Sequence, residues 1–124
     1  MIVNGVDLNF DITSPSDVLR YKEAGEKMEA AGNDIAFPAL PADDPGFMDE
    51  YISMLNKELK LFGDFIDDVF GDGIAERLLG NNPSLNKIVD VNEALGEAME
   101  AQGKDLGIRL QKYKPNRAQR RKNK

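Results

Sequence analysis

Acidic side chains are the densest group of residues in the chain that could do chemistry, and calcium binding is the chemistry they first suggest. Residues 64–76 contain five carboxylates and two glycines. If Asp68 is the first position of an EF-hand loop, Asp72 and Gly73 fit the fifth and sixth positions. Leu79 then stands at the twelfth position, where calcium requires a bidentate glutamate. The pattern therefore favours a solvated helix face that ends in a glycine turn, and it predicts no metal site.

Histidine and cysteine are both absent from the 124 residues. Their absence removes the usual general base near neutral pH, thiolate nucleophiles and the commonest zinc ligands. No phosphate-binding or nucleophile-elbow motif is present. The acids of residues 43–50 cluster where a helix begins, and the helix dipole accounts for them without a substrate. We therefore expect a non-enzyme with no catalytic residues and no cofactor, and the lack of cysteine fits a cytoplasmic protein.

Charge divides the chain into two parts. Residues 112–124 carry seven basic groups and no acid, whereas residues 1–111 carry nine basic and 22 acidic groups, a net charge of −13. The sequence predicts an acidic, mostly helical domain over residues 1–111 and a flexible, disordered basic tail over residues 112–124. The acidic part should repel nucleic acid, while the basic part could bind phosphate or an acidic protein surface.

The basic segment also has an internal pattern. Pro115 is expected to end the preceding helix, because proline disfavours helical backbone in the residue before it. A short new helix after Pro115 would place Arg117, Arg120 and Arg121 on one face, where they are candidate partner-binding residues. The alternative is a tail that only aids solubility.

The first twelve residues predict a β-hairpin. Val6, Leu8, Phe10 and Ile12 alternate with polar residues, which is the period of a strand with one buried face. The Asn-Gly pair before them favours a tight type I′ turn, and the two residues before that pair supply the partner strand.

Three principal helices are predicted after the hairpin. Ser14 and the proline after it cap the first helix, which ends at Gly32. Residues 33–46 contain three of the six prolines and form a loop. Asp44 caps the second helix in the same way, and Asn82 caps the third. The expected fold class is mainly α with a short N-terminal hairpin; the alternative is an α+β domain whose hairpin joins a larger sheet by oligomerisation.

The second and third helices have long apolar seams. The second keeps helical spacing for about six turns and is followed by a short helical turn over residues 74–79. In the third helix the apolar residues follow a nearly heptad spacing. Asn92 and Gln102 interrupt this seam, and such polar positions often fix register or partner number in coiled coils. Its glycines at 96, 103 and 107 predict a weak exposed helix, a surface that another backbone approaches closely, or a helix that orders only when bound. We expect the two seams to contact a partner or a sister subunit through Leu55, Leu59, Phe62, Ile66, Ile88, Leu95, Met99 and Leu106.

Three segments together carry a family resemblance. They are the opening VNGVDLNFDI, the stretch FGDGIAERLLGNNPSLNKIVDVNEAL and the basic end PNRAQRRKNK. In this order they resemble small tail proteins of siphophages and Gram-positive prophages, which are similar to tail assembly chaperones. The matching residues are Asp68, Val69, Phe70, Gly71, Gly73, Leu78, Leu79, Gly80 and residues 115–121.

The resemblance implies a function. Tail assembly chaperones coat the tape measure protein and recruit tail tube subunits while the tube polymerises, and many exist in two lengths through a translational frameshift. It implies a non-enzymatic homo-oligomer in the bacterial host cytoplasm, with tape measure and tail tube proteins as partners and no membrane or nucleic acid. The competing hypothesis is a small nucleic-acid-binding or regulatory prophage protein that acts through the basic segment.

Overall fold

The computed structural model describes the backbone of residues 1–122 and the side chains of residues 1–111. The predicted fold class, mainly α with an N-terminal hairpin, is confirmed. In chain order the elements are β1 (Ile2–Val3), β2 (Val6–Asp7), α1 (Pro15–Gly32), α2 (Phe47–Phe70), α3 (Ile74–Leu79) and α4 (Leu85–Lys122).

The hairpin forms because its turn residues accept left-handed backbone. Asn4 and Gly5 have φ values of 48° and 79° and join two antiparallel strands, as a type I′ turn requires. Val6, Leu8 and Phe10 are buried and the residues between them are exposed, so the predicted alternation is confirmed. Each strand has two residues, and Met1 and Leu8 extend the pairing through two backbone hydrogen bonds of 2.7 and 3.1 Å.

Helix α1 begins as the sequence predicts. The Ser14 hydroxyl accepts a hydrogen bond of 3.3 Å from the Asp17 backbone N–H. The Asp17 carboxylate accepts from the Asp11 N–H at 2.9 Å and pairs with Arg20 at 2.9 Å. Arg20 also donates to the Val69 carbonyl oxygen at 2.9 Å. The start of α1 is thereby attached to the end of α2.

Two predicted helix caps are wrong. Asp44 accepts a hydrogen bond of 2.8 Å from the Gly46 N–H in the turn before α2, which begins without a side-chain cap. An aspartate that bonds two residues ahead forms a turn, so its oxygen does not reach the first helical N–H groups. Before α4 the cap is Ser84, not Asn82, because the Ser84 hydroxyl accepts from the Lys87 N–H at 3.2 Å.

Helix α4 continues past the predicted stop. Its backbone runs over Pro115 to Lys122, although a proline inside a helix removes one backbone hydrogen bond. The side chains of the basic segment, residues 112–124, lie outside the described residues, and its flexibility stays a prediction. At Gly96, Gly103 and Gly107 no atom lies within 4 Å of where a Cβ would stand. The described chain therefore places no backbone against them.

The hydrophobic core lies around the second half of α2. The hairpin, α1, α3 and the first turns of α4 all contribute buried side chains to one cluster. The largest fully buried side chains in it are Leu8, Ile66, Val3, Val69 and Val91.

Helices α2 and α4 run in the same general direction. A Cβ built on Gly63 would lie 3.8 Å from that of Ala75, so α3 folds back along α2 before α4 begins. Further along α4, Gln102 bonds to the backbone of Phe10, and the Phe10 ring lies 5.6 Å from that of Phe70 at the end of α2. The first half of α2 and the last turns of α4 therefore leave the core at opposite ends.

Candidate functional site

One apolar seam on α2 continues from the core onto the surface. In the second half of the helix, Phe62, Ile66 and Val69 are at most 4% exposed. In the first half, Met48 and Ile52 keep the same spacing but are 58% and 49% exposed. The uncovered part of the seam is called the docking face, and it consists of Met48, Tyr51, Ile52, Leu55 and Leu59.

The docking face is open because α2 is longer than the helix packed against it. Helix α1 has 18 residues and α2 has 24. Near its C-terminal end, α1 places Gly32 against Leu61, since a Cβ on Gly32 would lie 3.4 Å from that side chain. The residues of α2 before Leu61 therefore extend beyond the end of α1.

The loop between α1 and α2 covers a different side of this extension. The Glu50 carboxylate accepts hydrogen bonds from the N–H groups of Ala39 and Leu40 at 2.8 and 3.2 Å. A groove between this loop and the helix is lined on the helix side by Glu50, Ser53, Met54 and Lys57. At 100° per residue these positions point away from Met48 and Ile52. The loop thus stiffens the first half of α2 and leaves the docking face uncovered.

The segment that carries the docking face is acidic. Residues 43–59 contain five acids and one base, Lys57. Within residues 1–111, none of these carboxylates takes part in an ion pair. The acids concerned are Asp43, Asp44, Asp49, Glu50 and Glu58. A partner that combines apolar and basic side chains would fit both the face and its surroundings.

The structure separates the partner-binding residues predicted on the second helix. Leu55 and Leu59 are half-buried and belong to the docking face. Phe62 and Ile66 are core residues with 4% and 0% of their surface exposed, so this fold leaves them almost no surface with which to contact a partner. Helical spacing identifies one face of a helix, but the rest of the fold decides which turns of that face are covered.

The predicted seam on α4 is mostly internal. Leu95 is 4% exposed, and Ile88 and Met99 are partly buried against the core, so all three contribute to the fold. Leu106 is half-buried in a groove beside Thr13. The three predicted arginines lie outside the described side chains and stay predictions: Arg117, Arg120 and Arg121.

The two polar residues that interrupt that seam lie in different surroundings. The Gln102 amide donates to the Phe10 carbonyl oxygen at 2.9 Å and accepts from the Ile12 N–H at 3.0 Å. It thereby holds the extended segment that follows β2. Asn92 is exposed, and its neighbour Val91, 1% exposed, takes the core position instead.

Met48 and Ile52 fall on the apolar spacing of the second helix but are not among the predicted contact residues. Their spacing is the same as that of the core residues, so spacing cannot tell the two groups apart. The difference in length between the first and second helices is the sequence signal that could have found them. The rings of Phe47 and Tyr51 stack with centroids 5.9 Å apart and set one edge of the face.

Two hydrogen-bonded side-chain pairs contain a group with a shifted pKa. The side chain and backbone N–H of Thr13 donate to the Asp11 carboxylate at 2.7 and 2.8 Å, which lowers the pKa of Asp11. A lowered pKa makes Asp11 a weaker base, the opposite of what a general base needs. The hydrogen bond from Lys60 to Asp64 raises the lysine pKa and keeps that amine protonated, so it is a poor nucleophile.

The acidic stretch suspected of calcium binding has partners within the protein. Asp64 binds Lys60, Asp67 accepts from a backbone N–H of α3 at 2.9 Å, and Asp68 lies 3.6 Å from Lys27. In the described part of the chain, no three acidic side chains are grouped so that they could hold a metal ion. Likewise, none of the helices over residues 1–122 is both long and apolar enough to cross a membrane.

Comparison with known proteins gives a family. The chain matches no curated protein and no solved structure. A family model described as a family of unknown function (DUF6673) matches residues 4–124, which is nearly the whole chain. The protein therefore belongs to this family of unknown function, DUF6673.

Proposed function

We propose that this protein is a non-enzymatic phage or prophage tail assembly chaperone that binds the tape measure protein and tail tube subunits. The observation that supports the proposal is the docking face, an apolar helical surface that the chain's own fold leaves uncovered. The resemblance of the hairpin, the glycine-rich segment and the basic end to small phage tail proteins points to the same class. The proposed place of action is the cytoplasm of the bacterial host.

The docking face suits a long helical partner. A tape measure protein has apolar helical stripes that stay exposed until the tube encloses it, and such stripes aggregate unless they are covered. From Met48 to Leu59 the face extends for roughly 17 Å along α2. An amphipathic partner helix could lie along it with its own apolar side inward.

The expected affinity suits a transient chaperone. Each fully buried large apolar side chain contributes about 1.5–3 kcal/mol. Three or four such side chains, after the cost of association, support a dissociation constant on the order of micromolar. A contact of this strength forms at cellular concentrations and releases when tube subunits replace the chaperone.

Nucleic acid is the weaker candidate partner. Residues 1–111 have a net charge of −13, and this charge opposes phosphate binding even if the basic segment attracts it. The docking face, in contrast, is apolar and offers nothing that a phosphate backbone would bind.

The test is co-expression of the tagged protein with the tape measure protein of the same phage or prophage. The variant Met48→Asp with Ile52→Asp should lose at least about 90% of the co-purified partner, because a loss of two apolar contacts at about 1.4 kcal/mol or more each exceeds a tenfold change in affinity. Both positions are about half exposed, so the fold should persist.

A matched control separates the docking face from general surface hydrophobicity. Leu19→Asp with Val89→Asp makes the same charge change at two positions that are each 53% exposed and lie outside the face. This control should co-purify the partner as the wild type does. Failure of the wild type to co-purify the tape measure protein, together with salt-sensitive binding of RNA or DNA, would overturn the proposal.

A further inference from the structure

The two ends of the molecule are complementary in charge and alike in apolar character. At one end, the segment that carries the docking face, residues 43–59, has five acids, and none of them forms an ion pair within residues 1–111. At the other end, α4 carries Ile108 and Leu110, which are 57% and 52% exposed. The basic segment follows with seven basic groups, and no acid occurs after Asp105.

A chain cannot cover its own docking face with its own basic segment. Gln102 holds α4 at the hairpin, beside the end of α2 where Phe70 meets Phe10. From there α4 continues as a helix to Lys122. Phe47, where α2 begins, lies roughly 35 Å back along that helix. The basic segment thus leaves from the end of the molecule that is farther from the docking face.

We infer that a second copy of this chain covers the docking face, by laying the end of its α4, from Leu106 onward, along the first half of α2. Leu110 of the second copy, which shares a helix face with Leu106, supplies apolar contact, and its basic segment meets the acidic first half of α2. The lengths agree: residues 47–60 span roughly 20 Å of helix and residues 106–122 roughly 25 Å.

Such a contact is heterologous, since it joins two different surfaces of identical subunits. Each subunit then keeps one free docking face and one free α4 end, so association continues head to tail into rings or open chains. The inference shares the docking face with the proposed function, and a sister copy and a tape measure helix would compete for it. Subunits in such a row can exchange their contacts with each other for contacts with the tape measure protein. The row is therefore well suited to coating a long partner.

The test uses two full-length variants that each remove one side of the contact. The face variant is Met48→Asp with Ile52→Asp, and the basic-segment variant is Arg117→Glu with Arg120→Glu and Arg121→Glu. In sedimentation velocity at low salt, the wild type should form a concentration-dependent series of oligomers, and each variant alone should be monomeric. An equimolar mixture should form dimers and nothing larger, because only one intact pair of surfaces remains.

Salt and a control variant complete the design. Raising the salt concentration from about 50 to 500 mM should weaken wild-type association about tenfold, since the contact includes exposed charge pairs. Leu19→Asp with Val89→Asp should associate like the wild type. Circular dichroism on each variant checks that helix content is retained.

Two results would overturn the inference. The first is a wild type that stays monomeric at about 100 µM, well above a micromolar dissociation constant. The second is a basic-segment variant that dimerises alone, which would mean a symmetric contact between two docking faces. A monomeric wild type that still co-purifies the tape measure protein refutes self-association and leaves the proposed function standing. Head-to-tail association of a wild type that does not bind the tape measure protein supports self-association and refutes the proposed function.

Discussion

Replacing Gln102 by methionine tests whether this residue holds the N-terminal segment or belongs to a partner seam. Methionine has about the length and volume of glutamine but lacks the amide NH2 donor and the amide oxygen acceptor, so the hydrogen bonds to Phe10 and Ile12 are lost. A neutral hydrogen bond contributes about 0.5–1.5 kcal/mol net, and two of them give about 1–3 kcal/mol. With a urea slope of about 2 kcal/mol per molar, the unfolding midpoint should fall by about 0.5–1.5 M.

Asn92→Leu is the matched control on the same helix. Asn92 is exposed and makes no side-chain hydrogen bond within the described residues, so its replacement should change the free energy of unfolding by less than about 0.5 kcal/mol. Equilibrium urea unfolding followed by circular dichroism measures both variants. A Gln102→Met variant that is as stable as the wild type, or that associates more strongly, would contradict this interpretation. Gln102 would then interrupt a seam between subunits and would not hold the N-terminal segment.

Three further predictions concern the core, a cap and pH. Ile66→Ala should reduce the free energy of unfolding by about 2–5 kcal/mol in urea titration, since Ile66 is 0% exposed. Asp67→Ala should lower the free energy of unfolding by about 1 kcal/mol. It should also speed hydrogen exchange at the Ala75 amide, because the Asp67 carboxylate accepts a hydrogen bond from that N–H. Thr13→Val should raise the pKa of Asp11 toward its ordinary value in an NMR titration, because the Thr13 hydroxyl is the largest cause of the lowered pKa. Since the folded pKa of Asp11 is the lower one, its contribution to stability is present at neutral pH and disappears as the pH falls through that value.

For each of these three variants, one result would contradict the prediction. An Ile66→Ala variant as stable as the wild type would place Ile66 on the surface. Unchanged exchange at Ala75 would mean that Asp67 does not cap α3. An Asp11 pKa that stays the same in Thr13→Val would remove the hydroxyl as its cause.

Local signals in the sequence predicted the secondary-structure elements well where a residue type favours a single local structure. Asn4-Gly5 can form a type I′ turn at little strain, and Ser14 before a proline is a strong helix start, so both predictions are confirmed. Asp44 was harder, because an aspartate can bond either to a helix start or to the turn before it. The structure has the turn.

The site could be predicted only in part, because apolar spacing is the same on covered and uncovered turns. Leu59 and Phe62 belong to one seam, yet Phe62 is buried in the core and Leu59 is on the docking face. The difference depends on where α1 ends along α2, which is a property of the tertiary structure. Gln102 was misinterpreted for a similar reason, since nothing in its own helix indicates that its partner lies 92 residues earlier in the chain.

The central claim is that partners bind the first half of α2, and methyl NMR of the methionines tests it most directly. Met48 lies on the docking face, whereas Met28 and Met99 pack against the core. With methyl-labelled methionine and increasing amounts of the tape measure protein, the Met48 signal should shift or broaden while those of Met28 and Met99 stay unchanged. An unchanged Met48 signal together with a shifted Met99 signal would place the binding surface on α4 and contradict the account.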